Sequence, residues 1–180
     1  MFCLIAPNLI SMYFLIAFYF LAFISIFPAF SQSDSLYCRQ NEPSFTQNTG
    51  IDIDSLLRHA HTCLGKKYRY SGKSPKTGFD CAGFVFYNFK KFGIILPYSS
   101  CEQIKRGIEI GKEEAMPGDL IFFKGRSLSS KRAGHVGIVV KVSDRTIHFI
   151  HAAVTGGVRY DSMAGDYYRK RFIGLRRLKS

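Results

Sequence analysis

Hydropathy divides the chain into three stretches. Residues 1–31 are almost continuously apolar and contain no Lys, Arg, Asp or Glu. Residues 32–50, QSDSLYCRQNEPSFTQNTG, are polar and aperiodic, the pattern of a linker. From residue 51 to 180 apolar positions recur with regular periods. Ile53, Leu56, Leu57, Ala60 and Leu64 fall on one face at helical spacing, with Asp52 or Asp54 available as N-cap and Gly65 as terminator. The stretch YRYSGKSPKTG, Tyr68 to Gly78, reads as a loop. Asp80 then caps a second predicted helix, Cys81 to Phe92, closed by Gly93, with Phe84, Val85, Phe89 and Phe92 as its core face. A short helical patch follows near Glu102–Arg106.

Beyond this patch the period shortens. MPGDLIFFKG predicts a turn and a strand, His135–Val142 a second strand, and Thr146–Ala153 a third, with Asp144-Arg145 as the turn between the last two. Phe172–Leu178 completes the set. Helices first and strands later predict an α+β domain built on an antiparallel sheet.

The apolar start is a targeting segment and not part of that domain. It reads either as a signal peptide cleaved after Ala29-Phe30-Ser31 or as an anchor through residues 9–30, long enough to cross a bilayer. Either reading places residues 51–180 outside the cytoplasm. No Leu-Ala-Gly-Cys-like box signals lipidation. The whole net charge of +12 then lies beyond residue 31, which suits a polyanionic surface or polymer. Export argues against nucleic acid and for an anionic wall polymer. Cys38, Cys63, Cys81 and Cys101 follow the segment; their pairing stays open. No CxxC and no Cys/His cluster has zinc-ligand spacing, so no metal or cofactor is expected.

Cys81 carries the candidate chemistry. A thiol at the first position of a helix meets outward-pointing N–H groups and the positive end of the dipole, which lowers its pKa and favours the thiolate. A thiol nucleophile needs a base and a group to orient that base. His135 opens one predicted strand and His151 closes the next, so an antiparallel hairpin brings them to one sheet end. His148 has the opposite strand parity to His151 and leaves on the other face. Spacing alone leaves two readings open: a nucleophile with histidine partners, or a core thiol and two ordinary histidines. Gly83, Gly134 and Gly137 are expected to serve close backbone packing.

The ordered motifs YRYSGKSPKTGFDCAGFV, LPYSSCEQ, PGDLIFF, GHVGIVV and FIHAAVTGGV resemble those of the NlpC/p60 cell-wall cysteine peptidases, most closely the Spr-like murein endopeptidase branch. DSMAGDYYRKRFIGLRRL is similar to that branch's C-terminal stretch. The resemblance runs from about Ile51 to Leu178. It implies a circularly permuted papain-like α+β fold, N-terminal helices on an antiparallel sheet of about five to six strands. It implies hydrolysis of amide bonds in peptidoglycan stem peptides, with Cys81 as nucleophile, His135 as general base and His151 orienting His135. Tyr68 matches the family tyrosine that helps bind the oxyanion, and Asp80 is a candidate for binding a substrate amine as well as the helix cap. A monomer is expected. Three departures stand out: Ala82 replaces the serine of the usual DCSG, Ser71-Gly72 replaces a double glycine, and Pro75 lengthens the loop before Cys81. Other readings that keep the same residues are an amidase or acyltransferase on a different amide or lipid, and a non-catalytic wall-binding protein.

Overall fold

The computed structural model describes residues 50–178. The export, anchoring and linker expectations, and Cys38, lie outside the described residues.

The α+β expectation holds. Helix α1 (Ile53–His61) starts at Asp52, whose side chain accepts from the Asp54 N–H, so Asp52 and not Asp54 is the cap. Leu56 and Ala60 are fully buried on its inner face. A two-stranded ribbon, β1 (Lys73–Ser74) and β2 (Gly78–Phe79), leads into α2 (Cys81–Lys90). A one-turn helix α3 (Ser100–Gln103) follows. A six-stranded sheet comes next: β3 (Ile108–Ile110), β4 (Leu120–Lys124), β5 (Ala133–Ser143), β6 (Thr146–Ala153), β7 (Gly157–Ser162) and β8 (Phe172–Arg177), in the order β3-β8-β4-β5-β6-β7. Every neighbouring pair is antiparallel. Helix α4 (Asp166–Arg171) lies between β7 and β8.

The sheet is buried on both faces, which is why LIFF is a continuous apolar run. Leu120 and Phe122 join Phe84, Val85, Phe89, Val136 and Ile138 in the core beneath α1 and α2. Ile121 and Phe123 point the other way, to Val139, Phe149 and Leu175. Each fully buried Phe or Leu contributes on the order of 1.5–3 kcal/mol. Phe92, predicted in the same face as Phe84, is only partly buried.

The hairpin that joins β5 to β6 turns at Asp144 (φ 50°) and Arg145 (φ 57°), with Ser143 paired to Thr146. Two central residues with positive φ make a type I′ turn, whose twist matches that of the flanking strands. The register set at this turn shifts by one residue between Val139 and Lys141, and turn and bulge together bring the two histidines to one face.

Five elements were not expected. Strands β1 and β2 have two residues each, too short for a periodic signal. Strands β3 and β7 are sheet edges with one and two buried residues. Helix α4 buries none, so DYYRKR has no apolar stripe. The helical patch expected at Glu102–Arg106 begins earlier, at Ser100, because buried Gln103 is held by the carbonyls of Ala82 and Pro97.

Candidate active site

Three elements converge on one cavity of about 630 Å³, lined by Tyr68, Cys81, His135 and His151 among others. Cys81 is the first residue of α2. Asp80 caps that helix by accepting from the Gly83 N–H at 2.6 Å. A side chain at Gly83 would strike the Gly72 carbonyl, so the helix start sits against the loop carrying Tyr68 only because Gly83 has no Cβ. The Gln103 amide donates to the Ala82 carbonyl at 3.0 Å and ties the first turn of α2 to α3. Asp80 does not line the cavity; of its two expected roles the structure displays the cap.

The histidines come from β5 and β6. Ile138 pairs with Ile150, which sets Gly137 opposite His151 and makes His135 its diagonal neighbour on the same face. Gly137 leaves the space between them: a Cβ there would lie 3.2 Å from His151 Cβ. His135 Nε2 is 2.7 Å from His151 Nδ1, with the rings edge to face at 89°. His148 is not in the cavity lining and instead meets the Ser143 hydroxyl at 3.2 Å, as strand parity predicts.

His151 is fully buried and leads to a residue the sequence did not flag. Its Nε2 lies 2.8 Å from Asp161 Oδ2. The same oxygen accepts from Tyr168 Oη and from Arg159 Nε, both at 2.9 Å. Asp161 and Arg159 belong to β7 and Tyr168 to α4, two of the elements without periodic signal; Asp161 and Tyr168 lie within the stretch DSMAGDYYRKRFIGLRRL, but the resemblance assigns none of the three a role.

Electrostatics overturns one expectation. Burial, and then the Asp80 carboxylate, push the Cys81 thiol up to about 11, against the backbone N–H groups of Val136, Ala82 and Cys81. The helix start favours a thiolate, but half-burial beside a carboxylate outweighs it. Burial and then His151 push His135 down to about 3. Burial likewise lowers His151. Burial acts to raise Asp161, but the hydrogen bonds from His151, Tyr168 and Arg159 win and hold its carboxyl below the usual range. Burial also raises the Tyr68 phenol, with smaller contributions from Cys81 and Asp80. At neutral pH these shifts favour a thiol and a neutral imidazole in the one cavity.

The lining contains Lys124, Arg126, Arg159 and Arg171 and no carboxylate. Among the described residues, no group of three or more His, Cys, Asp or Glu is arranged to hold a metal ion. Cys63, Cys81 and Cys101 are free; Cys101 donates to the Ala133 carbonyl.

Residues 65–177 match the NlpC/P60 family. The chain belongs to that family. It is 41% identical over 128 residues to a "Probable endopeptidase" of Haemophilus influenzae, covering 70% of this chain and 74% of that one. It is 33% identical over 153 residues to the "Murein DD-endopeptidase MepS/Murein LD-carboxypeptidase" of Escherichia coli K12, covering 83% and 76% of the two chains. Among solved structures, an NlpC/P60 family protein of Bacillus cereus superimposes with a TM-score of 0.65 at 27% identity, over 74% of this chain and 42% of the other. The expected NlpC/P60 fold and murein endopeptidase branch thus hold. Among the described residues no helix is long and apolar enough to cross a membrane.

Proposed function

We propose that this NlpC/P60 protein is a peptidoglycan endopeptidase, hydrolysing amide bonds of stem peptides through Cys81, His135 and His151. The observation that carries this reading is the convergence of the three residues, from α2, β5 and β6, on one cavity with His135 and His151 in hydrogen-bond contact. The named endopeptidase relatives supply the substrate class.

The chemistry follows from a neutral resting pair. His135 takes the proton of the Cys81 thiol as sulfur attacks the scissile carbonyl. The oxyanion is met by the backbone N–H at the start of α2 and the Tyr68 hydroxyl. Collapse breaks the C–N bond, and the His135 imidazolium protonates the leaving amine. Water, deprotonated by His135, then attacks the thioester; the C–S bond breaks, the proton on His135 returns to sulfur, and the acyl group leaves as a carboxylic acid that gives its own proton to solvent. No step calls for a metal or cofactor.

The protein acts outside the cytoplasm as a monomer, delivered by the apolar segment that also serves as an anchor through residues 9–30 if it is retained. Its net charge of +12 holds it near an anionic wall, so turnover on intact sacculi falls as salt rises.

The decisive experiment is digestion of purified peptidoglycan by the full chain and by Cys81→Ala, with products read by mass spectrometry. Stem-peptide fragments from the wild type alone are expected. Products differing at another amide or ester would identify an amidase or acyltransferase, and equal fragments from Cys81→Ala would remove the thiol from the reaction.

A further inference from the structure

Hydrogen bonding imposes a direction on the line of groups behind Cys81. Asp161 Oδ2 receives three donors: His151 Nε2 at 2.8 Å, Tyr168 Oη at 2.9 Å and Arg159 Nε at 2.9 Å. An ionised carboxylate only accepts. The proton between Asp161 and His151 therefore sits on His151 Nε2. Tyr168 supports this independently. Its hydroxyl also lies 3.4 Å from His151 Nε2, but its single proton is committed to Asp161, so it offers that nitrogen only a lone pair.

A neutral imidazole with its proton on Nε2 has a bare Nδ1. His151 Nδ1 can then only accept in its 2.7 Å contact with His135 Nε2. His135 must hold its proton on Nε2, which leaves its Nδ1 bare. That is the state a base needs. The opposite polarity, with His151 Nδ1–H donating to His135, would put the proton on His135 Nδ1 and remove the lone pair.

We propose that Asp161, held by Arg159 and Tyr168, is a positioning residue that sets the tautomers of His151 and, through it, His135, so that His135 Nδ1 is free to take the nucleophile's proton. Asp161 touches neither Cys81 nor the cavity; it acts two groups away. The inference rests on the Cys81–His135–His151 reading for its consequence in catalysis, but the tautomers themselves are readable whether or not that reading holds. The groups in contact with His151 are His135, Asp161 and Tyr168; Cys81, Tyr68, Lys124, Arg126, Arg159 and Arg171 share the cavity with the two histidines.

The test is long-range ¹H–¹⁵N correlation of the imidazole nitrogens in the labelled full-length chain, beside turnover of soluble stem-peptide fragments. In the wild type, His135 and His151 should both be Nε2–H. Asp161→Ala should move both to Nδ1–H and lower kcat about 10²-fold with KM within about twofold. Asp161→Leu, similar in size and without an acceptor, carries the same expectation should the alanine variant fold poorly. Asp161→Asn can keep an oxygen where Oδ2 lies, and should restore the Nε2–H pair and turnover to within about tenfold of wild type.

Unchanged tautomers in both Asp161→Ala and Asp161→Leu would overturn the proposal even if activity fell, because the loss would then be structural or purely electrostatic. So would a wild-type His151 protonated on Nδ1, or an Asn variant that behaves like Ala. Full turnover by Cys81→Ala is a different failure: it would sink the thiol mechanism and leave the tautomer assignment standing.

Discussion

Asp119 and Asp161 are both carboxylates of the central sheet, and each is held by an arginine, yet they are built for different ends. Asp119 precedes β4 and is fully buried; Arg177 meets both its oxygens, Nε to Oδ1 at 2.8 Å and Nη2 to Oδ2 at 2.9 Å. Its remaining bond comes from the Met116 N–H at 2.8 Å. Every partner is a backbone donor or a guanidinium, neither of which changes protonation in the working range. Asp161 lies on β7, two strands across the sheet from β5, 23% exposed, and gathers its donors on one oxygen. One of those donors is a histidine, which can move its proton. The lesson concerns partners more than carboxylates. A buried acid with fixed donors on both oxygens is a clamp between strands; one that ends in a titratable ring transmits a choice of protonation state.

The sharpest way to break this contrast is to remove the clamp. Asp119→Ala leaves Arg177 uncompensated and strips the Met116 N–H of its acceptor. Loss of one partner of a buried pair costs about 3–5 kcal/mol. Denaturant unfolding should show that loss, while turnover per folded molecule stays at the wild-type value. A stability change under about 1 kcal/mol, typical of exposed pairs, or a drop in turnover of the folded fraction, would erase the distinction between the two sites.

Gly137 tests the other half. A Cβ there would lie 3.0 Å from Phe149 Cδ2, 3.1 Å from the Ile150 carbonyl and 3.2 Å from His151 Cβ. Gly137→Ala should cost about 1–3 kcal/mol through overpacking. Unlike Asp119→Ala it should also lower kcat, since the strand shift that relieves the clash moves His151 away from His135. Normal kcat in this variant would show that the 2.7 Å histidine contact tolerates displacement and that the network is less demanding than its geometry suggests.

The division between clamp and network also marks what was legible in the sequence. The helix start at Asp80, the apolar run LIFF and the Asp144-Arg145 turn are local signals, and each became the expected element. Strand parity chose His151 over His148 because a side-chain period of two survives any detail of packing. Asp161, Arg159 and Tyr168 were not legible. Strand β7 is an edge and α4 is a single exposed turn and a half, so neither has the periodicity that would have placed its residues. Cys81 failed in a different way. A helix N-terminus can be read from sequence, but the burial that raises the thiol depends on how α2 packs against β5, which is tertiary. PGDL predicts a turn, and its aspartate is also the clamp on Arg177.

The effect expected to be smallest per step of the variable applied, and the one that separates network from clamp by titration, is the pH dependence of stability. Burial and then His151 lower His135 to about 3, from 6.5 in the unfolded chain. Burial lowers His151 as well, and His59 in the same direction on the far side of the core. For a group whose folded pKa is depressed, the unfolded chain binds more protons, so the stabilisation is complete above pH 6.5 and is lost as pH falls toward 3. Asp161, whose folded pKa is held below 3.8 by its three donors, adds a further loss at the acid end of that range. Cys81 works in the opposite sense. Its folded pKa is raised from 9.0 to about 11, so its contribution is complete below pH 9 and is lost as pH rises toward 11. Cys63, raised by burial, adds to the same alkaline limb. Stability should form a plateau between about pH 6.5 and pH 9, with each titrating proton contributing at most about 1.4 kcal/mol per pH unit to the limbs. His135→Gln should flatten the acid limb by up to one proton and Cys81→Ala the alkaline limb, both read from chemical denaturation across pH. An acid limb of equal slope with and without His135 would place the titration elsewhere in the molecule and leave the histidine network as inert, in this respect, as the clamp.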